Sequence, residues 1–331
     1  MGDRVWMRTF TGCLGGIGVA AALVLGVAMG GGAGNAFATD AKPGEAASAR
    51  AIAYHAPGVT YDGLHTTQNP TAEQVAADLK RIKQHFGVIR TYYAGFGNNA
   101  VNVGEVAADV GLKVLLGLYL YNGEPDLVAK DYEQFVKPAV DRGNVIGILI
   151  GNEDSNLMPM IKEYLVKAKA DFPQTPVGSS QTAGFWLSSP QASELLPLVD
   201  FIAVNIYPAW DWEKADAENQ PIGVTPQAGF ESFQRTYEQV AAKYPDKQVV
   251  VTETGWPTTY GKIPAKQYPI GISNAGQFLK STMNWAETSD PKVNFYLYGM
   301  FDPLYGVGLG SLYNYHFGLV DSEGKAKGVF F

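Results

Sequence analysis

The chain is poor in the residues that hold metals and close disulfides. Its 331 residues include one cysteine, Cys13, and four histidines, His55, His65, His85 and His316. A single cysteine cannot form a disulfide within the chain, and the histidines lack the spacing of zinc ligands. No glycine-rich phosphate loop follows a strand-like segment either. These absences predict a protein without a metal site, a nucleotide site or a cofactor.

Positive charge is also scarce. Lysine and arginine total 25 against 32 aspartates and glutamates, so the formal net charge is −7. Such a balance argues against nucleic acid and against anionic membrane surfaces as partners. It is compatible with a neutral polysaccharide, and the 18 tyrosines and six tryptophans suit one because sugar faces stack on aromatic rings. For any single ring, packing in the core is the simpler explanation.

The N-terminus has the pattern of a secretory signal. Arg4 and Arg8 precede an apolar run over residues 14–29, and Ala36-Phe37-Ala38 fits a cleavage site. Residues 1–38 are therefore predicted to be a signal peptide. The alternative is an uncleaved membrane anchor, but the run is rich in glycine and shorter than the ~20 residues of a good membrane span.

Removal of that segment would leave a mature chain without cysteine. Export without disulfides suits a bacterial envelope or exterior, so we expect a secreted or periplasmic monomer with no membrane contact after cleavage. Small and polar residues predict a disordered linker over residues 39–56. Residues 57–331 are then long enough for one large catalytic domain.

Strand-like and helix-like segments alternate through this domain. Eight apolar or β-branched runs predict strands at residues 58–61, 88–93, 112–118, 145–150, 176–180, 200–207, 247–252 and 293–298. Periodic segments predict helices at residues 71–86, 103–110, 126–141, 161–172, 230–244 and 275–287. This alternation predicts an α/β fold, a single-domain (β/α)8 TIM barrel, with an open doubly wound sheet as the alternative. No helical periodicity follows residue 302, so the last helix is expected to be short or absent.

Two glutamates stand just after buried strand-like runs. Gly151-Asn152-Glu153 follows residues 145–150, and Glu253 comes two residues after Val249-Val250-Val251. A carboxylate at the end of a buried strand is costly unless it has partners, and the catalytic groups of a barrel lie at the C-terminal strand ends. The fourth and seventh strands lie roughly opposite one another, which predicts a glycosidase pair. Carboxyls ~5–5.5 Å apart would indicate a retaining mechanism, and a gap of ~6.5–9.5 Å an inverting one.

Five segments resemble glycoside hydrolase family 17, a family of β-1,3-glucanases and β-1,3-glucan transglycosylases on a (β/α)8 barrel. They occur in the family's order: Ile150-Gly151-Asn152-Glu153, Val204-Asn205-Ile206-Tyr207-Pro208, Val251-Thr252-Glu253-Thr254-Gly255-Trp256-Pro257, Ser273-Asn274-Ala275-Gly276-Gln277-Phe278-Leu279 and His316-Phe317-Gly318-Leu319. The segment around Glu253 is the most specific, since G-N-E occurs in many barrel glycosidases.

The resemblance implies a role for each of the two glutamates. Glu153 would be the general acid/base, with a pKa raised by the neighbouring charge, and Glu253 the nucleophile, kept ionised by hydrogen-bond donors. Arg90 and Tyr207 are the expected donors. Asn152 is expected to hydrogen-bond the sugar 2-hydroxyl, a contact that tightens in the transition state.

The resemblance also implies the residues that would hold a β-glucan polysaccharide or oligosaccharide. Trp256 and Phe301 are expected to form the floor of the subsite for the distorted sugar. Tyr61 is expected to form one wall, a place for which Tyr54 and Tyr92 compete. Asn205, at the end of the sixth strand, completes the expected substrate-binding set. The other aspartates considered, Asp62, Asp302 and Asp321, are expected to be structural rather than catalytic.

The chain departs from the family's pattern after the sixth and the eighth strands. No tryptophan follows Trp285, although family members commonly carry one soon after the phenylalanine of the eighth strand. A long loop over residues 208–226 contains Trp210 and Trp212, which could form a sugar platform or a lid. Two alternatives therefore stay open: a catalytically silent glucan-binding envelope protein, and a barrel glycosidase of other β-glycan specificity.

Overall fold

Eight parallel strands close into a barrel in chain order, with the first strand paired to the last. The structure, a computed structural model, describes residues 50–55, 57–208, 225–259, 270–303 and 316–329. The strands are β1 (Gly58–Tyr61), β2 (Val88–Thr91), β3 (Lys113–Leu118), β4 (Val145–Asn152), β5 (Val177–Thr182), β6 (Ile202–Asn205), β7 (Val249–Thr254) and β8 (Asn294–Leu297). At the closure, Gly58 lies opposite Tyr296 and Val59 opposite Leu297. The predicted (β/α)8 barrel is confirmed.

Helices connect successive strands on the outside of the barrel. In the described ranges they are α1 (Ala72–Lys83), α2 (Val103–Val110), α3 (Pro125–Asp131), α4 (Lys137–Asp141), α5 (Met158–Asp171), α6 (Ala183–Ser188), α7 (Gln191–Leu195), α8 (Pro226–Lys243) and α9 (Ile272–Thr288). A π-helical turn, Tyr132–Val136, joins α3 to α4. The helices α6 and α7 were not predicted, because segments of six and five residues are too short to show helical periodicity. No helix among the described residues is both long and apolar enough to cross a bilayer.

Local sequence signals mark several of these boundaries. The hydroxyl of Thr71 accepts from the Gln74 backbone N–H, and the Gln74 side chain accepts from the Thr71 N–H, which forms a capping box at the start of α1. Gly111 ends α2 with φ +78°, a left-handed conformation that glycine adopts at little cost. A turn over residues 97–100 links a short antiparallel pair, Gly95–Phe96 and Val101–Asn102.

A short segment before β1 closes the floor of the barrel. Ile52 is buried, its N–H donates to Gln248 Oε1 at 2.7 Å, and Gln248 Nε2 donates to the Ile52 carbonyl at 3.2 Å. A side chain at Gly147 would collide with Ile52, since a Cβ there would lie 2.5 Å from the Ile52 Cδ1. The prediction of a disordered linker is therefore wrong for residues 50–55, because Ile52 belongs to the barrel interior. The rest of the predicted linker, residues 39–49 and residue 56, lies outside the described residues, as does the whole predicted signal peptide.

The chain after β8 is held to the barrel by a segment that we name the C-terminal clasp, residues 316–329. The N–H of Leu319 donates to the Gly299 carbonyl at 3.1 Å, and Lys327 Nζ donates to Asp302 Oδ1 at 2.6 Å. No helix follows β8 within residues 298–303 or 316–329, which agrees with the missing periodicity. Asp302 thus has the structural role expected of it, because its carboxylate joins the end of β8 to the clasp.

Candidate active site

The ends of β4 to β7 bring the predicted catalytic residues to the C-terminal mouth of the barrel. Glu153 directly follows β4, and Glu253 is the penultimate residue of β7. In the ladder, Asn152 is paired with Ser180 of β5, and Asn205 of β6 is paired with Glu253. These neighbours share one edge because all the strands run parallel.

Glu253 is buried and receives a donor at each carboxylate oxygen. Arg90 Nη1 donates to Oε1 at 2.7 Å, and Tyr207 Oη donates to Oε2 at 2.7 Å. The Arg90 contact is charge-assisted and therefore stronger than a neutral hydrogen bond. Both oxygens act as acceptors, which is the hydrogen-bonding pattern of an ionised carboxylate. Arg90 and Tyr207 lie where the resemblance placed the nucleophile's donors.

Arg90 connects the nucleophile candidate to the residue before Glu153. Its Nη2 donates to Asn152 Oδ1 at 2.7 Å, and its guanidinium carbon lies 3.7 Å from the centre of the Tyr92 ring. The side chain is buried, so its charge depends on Glu253 and the ring for compensation. One side chain from β2 therefore sets the positions of groups on β4 and β7.

The backbone at the end of β4 turns sharply to present Glu153. Gly151 and Glu153 both have positive φ values, +70° and +59°, and the second is uncommon for a residue with a side chain. The Glu153 N–H donates to the Ser180 carbonyl at 2.8 Å, which ties the turn to β5. Glu153 retains a solvent-accessible face, as a group that meets substrate must.

The carboxyl of Glu153 is held in a different electrostatic environment from that of Glu253. Burial of the carboxyl among protein groups, and then the nearby charge of Glu253, raise the pKa of Glu153 to about 7. The hydrogen bond from Asn205 and the charge of Arg90 oppose this change but do not cancel it. Near neutral pH Glu153 can therefore hold or release a proton, as an acid/base catalyst needs to do.

Asn205 fixes the carboxyl of Glu153 through a buried network. Its Oδ1 accepts from Ser180 Oγ at 3.0 Å and from Thr252 Oγ1 at 2.8 Å. Its Nδ2 then donates to Glu153 Oε1 at 2.8 Å and to Asn152 Oδ1 at 3.2 Å. The structure thus places Asn205 as a positioning residue for Glu153 rather than as a wall of the cleft.

Asn152 is poised between the two glutamates. Its Oδ1 accepts from both Arg90 and Asn205, so its remaining hydrogen-bonding capacity is the pair of Nδ2 donors. Donors suit the expected contact with a sugar hydroxyl oxygen. Its backbone N–H donates to Asp154 Oδ2 at 2.9 Å, so Asp154 stabilises this turn.

A cavity opens beside these residues, between the ends of β1, β2 and β8. Tyr61, Tyr92 and Phe301, all predicted to contact substrate, line it. The Tyr61 hydroxyl is directed away, since it donates to Asp78 Oδ2 at 2.9 Å, and Phe301 stacks on His65 with ring centres 3.9 Å apart. Tyr61 is 2% and Phe301 8% exposed, so each borders the cavity with only a small part of its surface.

Trp256 lies elsewhere. The ring is 1% exposed, it packs on Phe278 of α9 with ring centres 5.0 Å apart, and a Cβ added at Gly229 of α8 would collide with it. The side chain therefore fills the layer between the barrel and its helices. The prediction that Trp256 forms the floor of a sugar subsite is not supported by this placement, because the chain leaves the alternating strand geometry before residue 256.

Sequence reasoning missed two aromatic residues of this cavity, Tyr298 and Phe317. The Tyr298 ring packs edge-on against Tyr92 and Tyr207 with centres 6.5 and 5.8 Å away, and Phe317 packs edge-on against Tyr207 at 5.6 Å. Tyr298 is the first residue after β8, so it could have been predicted if the residue directly after that strand had been considered. Phe317 belongs to the C-terminal clasp, and only the fold reveals its position. Trp210, Trp212 and the loop of residues 304–315 lie outside the described residues.

Within the described ranges, no group of three or more histidine, cysteine, aspartate or glutamate side chains could hold a metal ion. The chemistry that the geometry supports is that of two carboxyl groups in unequal surroundings at the mouth of a barrel.

Comparison with known proteins agrees with this chemistry. The chain is 27% identical over 225 residues to a probable family 17 glucosidase of Saccharomyces cerevisiae, which covers 64% of this chain and 54% of that protein. It is 26% identical over 220 residues to a glucan 1,3-beta-glucosidase of Arthroderma benhamiae, covering 61% of this chain and 65% of the relative. The matches thus span between about half and two thirds of these curated relatives' lengths.

A solved structure has the same fold. An active-site mutant of the Rhizomucor miehei beta-1,3-glucanosyltransferase, in complex with laminaritriose, superposes with a TM-score of 0.65 at 19% identity, covering 83% of this chain and 96% of that one. The resemblance to family 17 noted in the sequence is confirmed by these relatives. The family model of the BtgE/BtgC glycoside hydrolase domain matches residues 58–318, and the chain therefore belongs to that glycoside hydrolase family.

Proposed function

We propose that this protein is a retaining glycosidase that acts on β-1,3-glucan through a covalent glycosyl-enzyme, which is resolved by hydrolysis or by glucanosyl transfer. The observation that carries the proposal is that two glutamates at the same mouth of the barrel have different hydrogen-bonding and electrostatic surroundings. Glu253 is buried under two donors, while the pKa of Glu153 is raised to about 7. Glu253 is accordingly the nucleophile and Glu153 the general acid/base.

In the first step, a Glu253 oxygen bonds to the anomeric carbon while the bond from that carbon to the leaving oxygen breaks. Glu153, protonated below about pH 7, gives its proton to the leaving oxygen. Arg90 and Tyr207 hold the carboxylate in place, and Asn152 is the donor for the sugar 2-hydroxyl.

In the second step Glu153 changes from a proton donor to a proton acceptor. Once Glu253 is esterified it carries no charge, so the second-largest cause of the raised pKa of Glu153, after burial, is lost. The pKa of Glu153 therefore falls and its carboxylate can accept a proton. It activates either water or a sugar hydroxyl, which attacks the anomeric carbon and releases Glu253.

The substrate class is supported by several observations. The relatives are named as a family 17 glucosidase and a glucan 1,3-beta-glucosidase, and the matching solved structure contains laminaritriose. The net charge of −7 and an aromatic cavity suit a neutral sugar chain. Choice between water and a sugar acceptor depends on loops around the cleft, so both outcomes belong to the proposal.

The test is product analysis on linear β-1,3-gluco-oligosaccharides, with β-1,4-linked oligosaccharides as the control and Glu253→Gln as the inactive enzyme. We expect cleavage of the β-1,3 series alone; shorter products alone indicate hydrolysis, and longer ones transfer. Binding without turnover at any pH would instead favour a silent glucan-binding protein. Preferred cleavage of the β-1,4 series would indicate another β-glycan specificity.

We also infer that the protein is exported. The support is the sequence pattern of residues 1–38, with Arg4 and Arg8 ahead of an apolar run and Ala36-Phe37-Ala38 after it. N-terminal sequencing of protein recovered from the exterior or periplasm is expected to begin at Thr39. An intact N-terminus on membrane-bound protein would indicate an uncleaved anchor instead.

A further inference from the structure

The aromatic cavity adjoins the nucleophile rather than the acid/base. Its wall residue Tyr92 packs on Arg90, and its wall residues Tyr298 and Phe317 pack on Tyr207. Arg90 and Tyr207 are the two donors to Glu253. The leaving group must lie on the side of the acid that protonates it, so this cavity is placed to receive the glycosyl unit that stays with the enzyme.

One charged residue lines this cavity among the described residues, and the mechanism does not use it. Asp62 directly follows β1, and the other lining residues are aromatic, small or uncharged. Its Oδ1 accepts from the Leu64 backbone N–H at 3.0 Å. Its own backbone N–H is the other donor to this carboxylate, and no side chain within the described part of the chain donates to it, although the Asp62 side chain is half-buried. A half-buried carboxylate with an open acceptor beside aromatic rings is the arrangement by which ligand sites fix a polar group.

The neighbours of Asp62 do not neutralise it directly. Of the titratable groups that act on the Asp62 carboxyl, His65 and Asp78 bond to one another, with His65 Nε2 at 2.8 Å from Asp78 Oδ2. The His65 Nδ1 lies 2.7 Å from the Ser322 carbonyl, and the Tyr61 hydroxyl bonds to Asp78. Both neighbours thus have other partners, and Asp62, which lines the cavity, keeps acceptor capacity that they do not use. Burial raises the pKa of the Asp62 carboxyl, which is the usual result of withdrawing a carboxylate from water.

We propose that Asp62 is a specificity-determining residue that accepts hydrogen bonds from hydroxyls of the glycosyl unit held in this cavity. The inference rests on the proposed function and adds which chemical features of the sugar are selected. A carboxylate accepts from hydroxyl groups and repels another carboxylate. Asp62 therefore selects a neutral, fully hydroxylated glycone and disfavours a deoxygenated or anionic one.

The experiment compares β-1,3-gluco-oligosaccharides that differ only on the glycone side of the cleaved bond. One series lacks single hydroxyls, and a second carries a carboxyl at C6. The readout is the ratio of kcat/KM between the parent and each analogue, measured for wild type, Asp62→Ala and Asp62→Asn. A merely structural role for Asp62 would change both rates and leave this ratio alone.

Wild type is expected to prefer the parent over one of the deoxy analogues by roughly 10–100-fold, since an unmet polar partner costs about that much. Asp62→Ala is expected to bring that ratio close to one. Both variants are expected to relax discrimination against the C6 carboxyl by about tenfold. Asp62→Asn keeps an acceptor for the Leu64 N–H. If Asp62→Ala does not fold, the kcat/KM ratios of Asp62→Asn therefore test the inference.

The matched control is Asp321→Asn. Asp321 Oδ1 accepts from the Glu323 N–H at 3.0 Å, the same local turn contact as that of Asp62, but Asp321 does not line the cavity. Its ratios should equal those of wild type. Folded Asp62 variants that keep the wild-type ratios would overturn this inference and leave the proposed function standing. Absence of β-1,3-glucan turnover by wild type would overturn both.

Discussion

Glu153 and Glu253 are chemically identical side chains at the same mouth of the barrel, yet the protein surrounds them differently. Glu253 is covered and accepts from a guanidinium and a phenol. Glu153 stays open to solvent, accepts from one amide, and lies near the charge of Glu253. The difference teaches that the supporting residues, drawn from β2, β6 and the segment after β6, give the two carboxyls unlike surroundings, and the proposed roles of Glu253 in attack and Glu153 in proton transfer follow from that contrast.

The largest expected difference between the two glutamates is in how the loss of activity on substitution depends on the leaving group of the substrate. Glu253→Ala removes the nucleophile, so turnover of any glycoside is expected to fall by ~10⁴-fold or more. Glu153→Ala removes the proton donor, so it is expected to slow cleavage of oligosaccharides by ~10²–10⁴-fold. Release of dinitrophenolate from dinitrophenyl β-laminaribioside needs no proton, and its burst should stay within about tenfold of wild type in Glu153→Ala. An equal loss of Glu153→Ala activity on both substrates would contradict the assignment.

A smaller effect is expected from the phenol that supports Glu253. Tyr207→Phe removes a hydrogen bond to a charged group, which is worth about 1.5–3 kcal/mol and corresponds to ~10–100-fold in kcat. Tyr132→Phe is the matched control, because the Tyr132 hydroxyl donates to Asp171 at 2.9 Å, distant in sequence from either glutamate and between two outer helical segments. Steady-state kinetics on laminari-oligosaccharides measures both. Similar rates for the two variants would indicate that Tyr207 does not stabilise the nucleophile.

The raised pKa of Glu153 predicts the alkaline side of the pH profile. Above a pH of about 7 the acid is deprotonated, so kcat/KM for oligosaccharides is expected to fall about tenfold for each further pH unit. The burst from the dinitrophenyl substrate should not show this fall, because its leaving group needs no proton. If both substrates lose activity with the same midpoint, another group controls the alkaline limb.

The smallest expected effect is on stability, where the two glutamates should behave oppositely. A carboxyl whose pKa is raised by folding stabilises the fold at low pH, and that contribution is lost as pH rises through about 7. Glu153→Gln should therefore raise the unfolding midpoint at pH 8 by about 2 °C, a value kept small because the side chain faces solvent. At pH 4 the increase should vanish. Glu253→Gln should lower the midpoint at pH 8, because it leaves the charge of Arg90 buried without its counter-ion.

An equal increase for Glu153→Gln at both pH values would mean that its pKa is not raised in the folded protein. Thermal unfolding followed by circular dichroism, with wild type measured at both pH values, gives these midpoints. A Glu253→Gln protein as stable as wild type would indicate that the Arg90 ion pair contributes little.

The barrel and its paired glutamates could be predicted because both depend on local signals. Long β-branched runs predict buried strands wherever they occur, and a glutamate just after such a run is conspicuous. Arg90 and Tyr207 were also within reach, since each lies at or just after a strand end. Parallel strands bring such residues to one edge whatever the helices between them do.

The predictions failed for residues whose role depends on where the side chain points and not only on their place at a strand end. Trp256 lies only two residues beyond β7, yet its ring points to the helices, and the Tyr61 hydroxyl points to α1 instead of the cleft. Beyond a strand end the chain no longer alternates between two faces, so sequence spacing gives no direction. Ile52 was misjudged for another reason, since one apolar residue in a polar segment gives no periodic signal although the barrel floor needs it.

The pairing of β1 with β8 also has a consequence for how the protein is made. The two strands are separated by more than 200 residues of sequence, and they meet only at the seam where Gly58 lies opposite Tyr296. During synthesis β1 therefore has an unpaired edge until β8 has left the ribosome. Such distant pairing slows folding and leaves a strand edge available for association with other chains. Nascent chains that stop before β8 are thus expected to need protection, while those that include β8 can seal the seam.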